Sequence, residues 1–198
     1  MIDEISGRRP YRLKRRAESA EETRRRLVEA TFALHSEQGI AATTMKQIAE
    51  RAGVSIGTVY HHFATLDEAI MACGQMVMAT YPFPTEDVLM GAATMKERIR
   101  RLARALFDYQ DRVAFDVVRA DRDRVPMIRN YVADEQRHRI ELTRAALAPF
   151  AIDRDLIRIA AALLDIGVYR ALQSAGLSLD QAADTIADMI HARLTRKD

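Results

Sequence analysis

One stretch, Thr43–Phe63 with the sequence TTMKQIAERAGVSIGTVYHHF, constrains the fold more than any other part of the chain. Thr44 followed three residues later by Gln47 has the pattern of a capping box, so a short helix is predicted to begin there. Gly53 ends this helix, and Ser55 is a preferred cap for a second short helix. Two short helices joined by a glycine-containing turn form a helix-turn-helix, whose second helix enters a DNA major groove.

Two helices this short bury too little apolar surface to be stable alone, so a preceding segment must pack behind them. The pattern Ser19-x-x-Glu22 is another capping box, and it predicts a first helix that begins at Ser19 and runs to Gly39. His35 extends the apolar stripe of this helix. We interpret it as a hydrogen-bonded, partly buried histidine rather than as a metal ligand or a pH switch.

At these residues the chain resembles a known family. Thr23–Ile70 is similar to the DNA-binding region of the TetR/AcrR family of bacterial repressors, above all in the core AGVS-x-GT-x-Y. The matching residues are Thr23, Arg24, Leu27, Ala30, Leu34, Gly39, Thr43, Thr44, Ile48, Ala49, Ala52, Gly53, Val54, Ser55, Thr58, Tyr60 and Phe63. Two positions depart from the family pattern: His35 replaces an aromatic or large apolar residue, and Leu66 replaces a phosphate-contacting lysine.

The resemblance implies how the protein works. A homodimer without ligand binds a palindromic DNA operator, a small-molecule effector enters the C-terminal body, and the DNA is released. The predicted function is therefore a sequence-specific, ligand-responsive transcriptional regulator of the repressor type. The alternative is a helical metal- or cofactor-binding protein, built on Glu135 and His138, with no role on DNA.

Ten residues at the two short helices are predicted to contact DNA. They are Thr43, Thr44, Lys46, Ser55, Ile56, Gly57, Thr58, Tyr60, His61 and His62. The resemblance implies that the three threonines, Tyr60 and His62 mostly hold phosphates. Lys46 is a general charge contact, Ile56 offers an apolar surface to a thymine methyl, and Gly57 lets the backbone approach closely. His61 is the best candidate for a base hydrogen bond, although it can equally reach the DNA backbone.

Positive charge is concentrated near the N-terminus. The net charge of the 198-residue chain is only +2, whereas Gly7–Arg16 holds six basic residues and no acidic one. Residues 1–18 are predicted to form a basic arm, either a solvated tail or an arm that reaches a minor groove or flanking phosphates. Residues 19–66 are the predicted DNA-binding domain, and 67–198 are a helical domain for effector binding and dimerisation.

The C-terminal part of the chain is predicted to be entirely helical, because the sequence has only eight glycines and five prolines, many strong helix formers and no strand pattern. The helices are predicted to start at capping residues or at Pro126, which suits a first helical turn. They span 65–81, 94–118, 126–147, Leu156–Ser174 and Leu179–Leu194. The complete prediction is an all-α protein with an N-terminal three-helix domain and a C-terminal helical domain.

The last two predicted helices are the candidate dimer interface. Leu156–Ser174 is apolar nearly all round, and Leu179–Leu194 carries an alanine-rich stripe that permits close approach. Both helices are predicted to pair with the same two helices of a second chain in a four-helix bundle. A dimer with twofold symmetry is the commonest type of closed assembly. Ile186→Glu combined with Ile190→Glu is then expected to give a monomer.

The effector is predicted to bind among the helices of the body. Nine methionines suit an adaptable apolar cavity, and the expected ligand is mostly apolar with one polar group. The predicted ligand-contacting residues are Met76, Phe107, Tyr131, Glu135, His138 and Tyr169, with Arg170 as a further polar candidate. For each of them an ordinary role in the core or on the surface remains the alternative.

Other classes of function find little support in the chain. Glu135-x-x-His138 matches half of a di-metal helix motif, but a working site needs further inward carboxylates. No nucleophile motif or glycine-rich phosphate loop occurs, so we expect no enzyme, no metal and no cofactor. The single cysteine, Cys73, is interpreted as an inert core thiol rather than an electrophile sensor. With no secretory signal and no apolar run near ~20 residues, we expect no membrane contact and a cytoplasmic location.

Overall fold

The computed structural model describes the backbone of residues 8–195 and the side chains of residues 16–195. These residues form α-helices, two short 3-10 helices at Glu86–Leu89 and Ala148–Phe150, and no strand. The α-helices are α1 (Arg8–Gln38), α2 (Met45–Ala52), α3 (Ile56–His62), α4 (Leu66–Thr80), α5 (Met95–Arg112), α6 (Phe115–Ala120), α7 (Pro126–Leu147), α8 (Arg154–Leu163), α9 (Ile166–Ser174) and α10 (Leu179–Thr195). The predicted all-α fold is confirmed.

The described residues divide into two compact units, and the boundary falls within α4. The first unit ends at Val77 and the second begins at Met78. The core of the first unit contains Leu27, Val28, Leu34, Ile48, Val59 and Phe63. The core of the second unit contains Ile99, Leu102, Leu106, Phe107, Leu164 and Ile186.

The first helix begins eleven residues earlier than predicted, at Arg8 instead of Ser19. Arginine, lysine and alanine are strong helix formers, and Pro10 lies in the first turn, where its missing N–H has no helical partner to lose. Ser19 is therefore inside the helix, and its carbonyl accepts a hydrogen bond from the Thr23 hydroxyl at 2.8 Å. Of the predicted basic arm, residues 1–7 lie outside the described residues.

Two helices predicted to be continuous in the second unit are each broken in two. The predicted helix 94–118 is divided into α5 and α6 at Ala114, which adopts a left-handed φ of 48°. The predicted helix Leu156–Ser174 is divided into α8 and α9 at Asp165, whose carboxylate accepts a hydrogen bond from the Gly167 N–H at 2.8 Å. The apolar spacing continues through both breaks, so it did not indicate them.

The last helix, α10, packs antiparallel along α5. Three ion pairs join the outer edges of the two helices: Lys96–Asp188, Arg100–Asp184 and Arg104–Asp180. Between them the alanine-rich stripe of α10 is buried against the same chain, with Ile186 0% and Ile190 1% exposed. The interpretation of this stripe as a dimer surface is therefore wrong, because its apolar side chains already have partners within one chain.

Candidate functional site

The capped start of α2 sets the first half of the helix-turn-helix. The Thr44 hydroxyl accepts a hydrogen bond from the Gln47 N–H at 3.3 Å, and the Gln47 side-chain oxygen accepts one from the Thr44 N–H at 2.9 Å. Gly53 ends the helix with a left-handed φ of 66°. Arg26 of α1 donates a hydrogen bond to the Ala52 carbonyl, so the turn is tied to the helix behind it.

The second short helix, α3, presents an apolar and aromatic face to solvent. The Ser55 side chain accepts a hydrogen bond from the Thr58 N–H at 3.1 Å and caps the helix. Val59 is completely buried and holds α3 on the core, whereas Ile56 and Tyr60 are 42% and 54% exposed. These two residues are four apart and lie on one face of the helix. A seven-residue helix thus leaves a large aliphatic and an aromatic side chain available for an external partner.

A groove of about 620 Å³ lies between the start of α2 and the face of α3. It gathers five of the ten predicted DNA-contacting residues: Thr43, Thr44, Lys46, Ile56 and Tyr60. Thr43 is buried in its wall and donates a hydrogen bond to the Gly39 carbonyl at 2.8 Å. Leu66 also lines the groove, so the residue that departs from the family pattern lies beside the predicted contacts.

The charges on this surface favour a phosphate contact at Lys46. Its Nζ lies 3.9 Å from a Glu50 carboxylate oxygen, and both side chains are more than half exposed, so their attraction is weak. Arg51, in contrast, is held by two hydrogen bonds to Glu37 at 2.6 and 2.8 Å. Burial, with the nearby His61 and other charges, lowers the pKa of His62. At neutral pH His62 is therefore uncharged, so its ring can offer hydrogen bonds but no positive charge.

The methionine and the three aromatic residues that are predicted to contact the effector lie in three different surroundings. Met76 packs against the core of the first unit. In the second unit, Phe107 and Tyr169 stack on each other with ring centroids 4.7 Å apart, and both are buried. The Tyr131 hydroxyl lies 2.8 Å from the Tyr109 hydroxyl. Sequence spacing identified inward aromatic residues correctly, but it did not show that two of them, Phe107 and Tyr169, pack against each other.

Glu135 and His138 do not share one environment. Glu135 is 3% exposed and accepts a hydrogen bond from Gln110 at 2.9 Å, whereas His138 is exposed and its ring lies 5.3 Å from that of Phe83. Among residues 16–195, no group of three or more potential metal-ligating side chains is close enough to hold an ion. The alternative metal-binding function is not favoured.

Sequence reasoning missed the polar residues that surround Glu135. Glu135 is contacted by Gln110 and by Arg139. Arg139 also contacts Asp165, which pairs in turn with Arg119. Two signals were present. Gln110 continues the inward spacing of α5, and Arg139 follows Glu135 by four residues, a spacing that places both on one helix face.

The helix-turn-helix geometry agrees with comparisons to known proteins. The family described as "Bacterial regulatory proteins, tetR family" matches residues 27–68, which include α2, α3 and the buried end of α1. This chain has a TetR-family DNA-binding region at residues 27–68. It is a DNA-binding transcriptional regulator, as its relatives in the family are.

The relatives differ in how much of each chain is similar. The HTH-type transcriptional regulator BetI of Rhizobium meliloti is 28% identical over 182 residues, covering 86% of this chain and 89% of BetI. The HTH-type transcriptional repressor KstR2 of Mycobacterium tuberculosis is 34% identical over 86 residues, which are 41% of each protein. The chain thus matches less than half the length of KstR2.

Solved structures have the same fold. A TetR-like transcriptional regulator from Rhodococcus sp. RHA1 superposes with a TM-score of 0.70 at 20% identity, over 88% of this chain and 97% of the other. The multidrug-binding protein EbrR, complexed with imidazole, superposes with a TM-score of 0.55 at 21% identity, over 88% and 96%. Among the described residues, no helix is long and apolar enough to span a membrane.

Proposed function

We propose that this TetR-family regulator is a cytoplasmic repressor that binds a palindromic operator as a homodimer. A small, largely apolar molecule then binds the second unit and causes release of the DNA. The observation that carries the DNA part of the proposal is the exposed face of α3 beside the groove. Ile56 and Tyr60 point away from a closed core, and Lys46 stands at the rim of the same groove.

The contacts divide into those that position the protein and those that read the sequence. Thr44, Thr58, Tyr60 and His62 hold phosphates, together with the backbone at the starts of the helices. Ile56 contacts a thymine methyl group, and its neighbour Gly57 lets the backbone approach the base edges. The fold itself does not require glycine at 57, because an added Cβ would meet only Ser55 Oγ, at 3.8 Å. A role in close approach to DNA explains this glycine better than internal packing does.

Selection of bound fragments from a random DNA pool tests this proposal. The expected product is an inverted repeat, with half-sites about one helical turn or a multiple of it apart, as a twofold dimer requires. Ile56→Ala should relax the preference at one base pair by about 1 kcal/mol, whereas Tyr60→Phe should weaken binding to all sites equally. A pool without enrichment, or a Tyr60→Phe protein with altered preference, would contradict the proposed roles.

The dimer is proposed to form through the outer faces of Leu156–Ser174 and Leu179–Leu194. These faces carry two large exposed apolar side chains, Ile159 at 48% and Met189 at 50% exposure. Ile159→Glu with Met189→Glu should therefore give a folded monomer, whereas Ile186→Glu should unfold the second unit because its side chain is buried. Light scattering measures the assembly and circular dichroism measures the fold. A double variant that stays dimeric would place the interface elsewhere.

The effector must favour the released conformation to weaken DNA binding. A coupling of roughly 1–3 kcal/mol is typical and acts in both directions. Calorimetry with the effector should then show weaker ligand binding when operator is present. Equal effector affinities with and without operator would exclude this mechanism of release while leaving DNA binding itself intact.

A further inference from the structure

A row of polar side chains runs along the face of α7 that contacts α5. Tyr131, Glu135 and Arg139 are four residues apart, so they occupy successive turns of one face. From α5, Gln110 donates a hydrogen bond to a Glu135 carboxylate oxygen at 2.9 Å. Gln110, Glu135 and Arg139 are 0%, 3% and 6% exposed. This is a polar cluster inside a helical core, where apolar side chains would be the simpler solution.

The ionic groups of the cluster are balanced. Arg139 lies 3.4 Å from Glu135 and 3.2 Å from Asp165. Arg119 donates to both oxygens of Asp165, at 2.9 and 2.8 Å. Two carboxylates therefore face two guanidinium groups, and the sum of their formal charges is zero.

One buried atom of the cluster, the side-chain oxygen of Gln110, lacks a hydrogen-bond partner. Nε of Arg139 makes no hydrogen bond of good geometry, but it lies 3.4 Å from a carboxylate oxygen of Glu135 and is ion-paired with it. Leaving such a group unsatisfied costs on the order of 1–3 kcal/mol, and buried polar groups in native proteins are rarely left so. The protein's own side chains therefore do not satisfy the cluster completely.

A groove reaches the cluster at Arg139 and Asp165, whereas Gln110 and Glu135 do not line it. Its volume is about 730 Å³, and it lies between α7, α8 and α9. Its polar side chains are those of Arg139, Asp165, Gln136 and Arg158, and Arg158 is paired with Asp155 at 3.7 Å. Ile140, Ala161 and Val168 provide apolar surface. A molecule whose apolar body lies in this groove can therefore place a polar end against Arg139.

We propose that Arg139 and Asp165 bind the polar end of the effector, with Gln110 and Glu135 behind them completing the neutral cluster. This polar end is an uncharged group such as a hydroxyl or a carboxamide. This inference rests on the proposed effector role of the second unit, and it adds the chemical class of the ligand. The reason is the charge balance. A further charge of either sign would be buried without a counter-charge, and burying an unpaired charge is costly.

The protonation of Glu135 decides which charge would be tolerated. Burial raises the pKa of Glu135, while Arg139 and the hydrogen bond from Gln110 act against that shift. A protonated Glu135 would leave the cluster with one net positive charge and would select an anionic ligand. The preference between neutral and anionic probes therefore tests the ionised form directly.

Three probes with one apolar body and different ends test the proposal by calorimetry at neutral pH. They are 4-phenylbutanamide, 4-phenylbutanoate and 4-phenylbutylammonium. The wild-type protein should bind the amide at least roughly tenfold more tightly than either ion. A wild type that prefers a charged probe, or that binds none of the three up to their solubility limits, would overturn the proposal.

Charge-changing variants should reverse the preference in opposite directions. Glu135→Gln leaves one net positive charge and should make the carboxylate the preferred probe. Arg139→Gln leaves one net negative charge and should make the ammonium the preferred probe. Loss of packing alone would weaken all three probes together, so an unchanged order of affinities in these variants would also overturn the proposal.

A second variant that gives the cluster a net negative charge is needed in case Arg139→Gln does not fold. Gln110→Glu adds a negative charge while keeping Arg139, and it should also favour the ammonium probe. The matched control is Gln75→Glu, which makes the same chemical change at an exposed residue of the first unit and should keep the amide preference. Thermal melting checks that each variant is folded, and a Gln110→Glu protein that still prefers the amide would count against the cluster.

Gel retardation of an operator fragment separates this inference from the proposed function. If the probe preferences reverse as expected but no probe releases the operator, the binding site is supported and the proposed release mechanism fails. If the operator is released by a probe but the preferences do not reverse, the release mechanism is supported and the assignment of the cluster fails.

Discussion

Replacing Lys46 with glutamine removes a positive charge from the rim of the groove between α2 and α3. The side chain is 82% exposed, and its single ion pair, to Glu50 at 3.9 Å, is weak because both groups are in water. The fold should therefore not depend on this amine. Its charge is available to a DNA phosphate, so the substitution should change binding without changing stability.

The expected effect on binding is a change in salt dependence. Each neutralised phosphate contributes about −0.9 to the slope of log K against log salt for duplex DNA. A dimer with one Lys46 on each half-site should therefore lose about 1.8 from the magnitude of this slope. Between about 50 and 200 mM salt, wild type should then lose roughly twelvefold more affinity than the variant.

Fluorescence anisotropy with a labelled operator at four salt concentrations measures the slope. The matched control is Lys96→Gln, which removes the same charge from the second unit, where Lys96 pairs with Asp188. The control should keep the wild-type slope although its net charge equals that of the Lys46 variant. Equal slopes for both variants would show that Lys46 does not contact a phosphate. An altered sequence preference would show that it reads a base instead.

Three further predictions test other parts of the molecule. Gly57→Ala should keep or raise the melting temperature, because alanine favours helix by about 1 kcal/mol over glycine. Its affinity for the operator should fall, and an unchanged affinity would refute a close approach of DNA at residue 57. Burial raises the pKa of Cys73 to about 12, so a thiol reagent at pH 8 should label it only after denaturation. Rapid labelling of the folded protein would show that the thiol is not inert. Hydrogen bonds from Arg170 lower the pKa of Asp116 below its value in the unfolded chain, so wild-type stability should fall as the pH drops below about 4. Asp116→Asn should flatten this acid-side loss in urea unfolding curves, and an unchanged pH profile would exclude the effect.

Local signals determined the helix-turn-helix from the sequence. A cap needs only a side chain and a backbone N–H two or three residues later, so the pairs Thr44–Gln47 and Ser55–Thr58 could be read directly. Ser19 was misleading because a capping signal is local. A capping residue does not mark the start of a helix when the residues before it also favour helix. The ten predicted DNA contacts lie on, or directly before, the two helices that these caps begin, and the groove brings five of them together. Their individual roles remain predictions.

Only the tertiary structure decided what the inward residues of the second unit face. Sequence periodicity placed Ile186 on an apolar stripe, but a stripe that packs on α5 and one that packs on a second chain have the same spacing. The same is true of Glu135, whose partners Gln110 and Arg139 are set by the contact between α5 and α7. The sequence by itself determined the caps and the helical class, and it predicted which residues of α3 face DNA. The burial of α10 and the balanced polar cluster depend on which helix faces meet, and residue spacing within one helix carries no information about that.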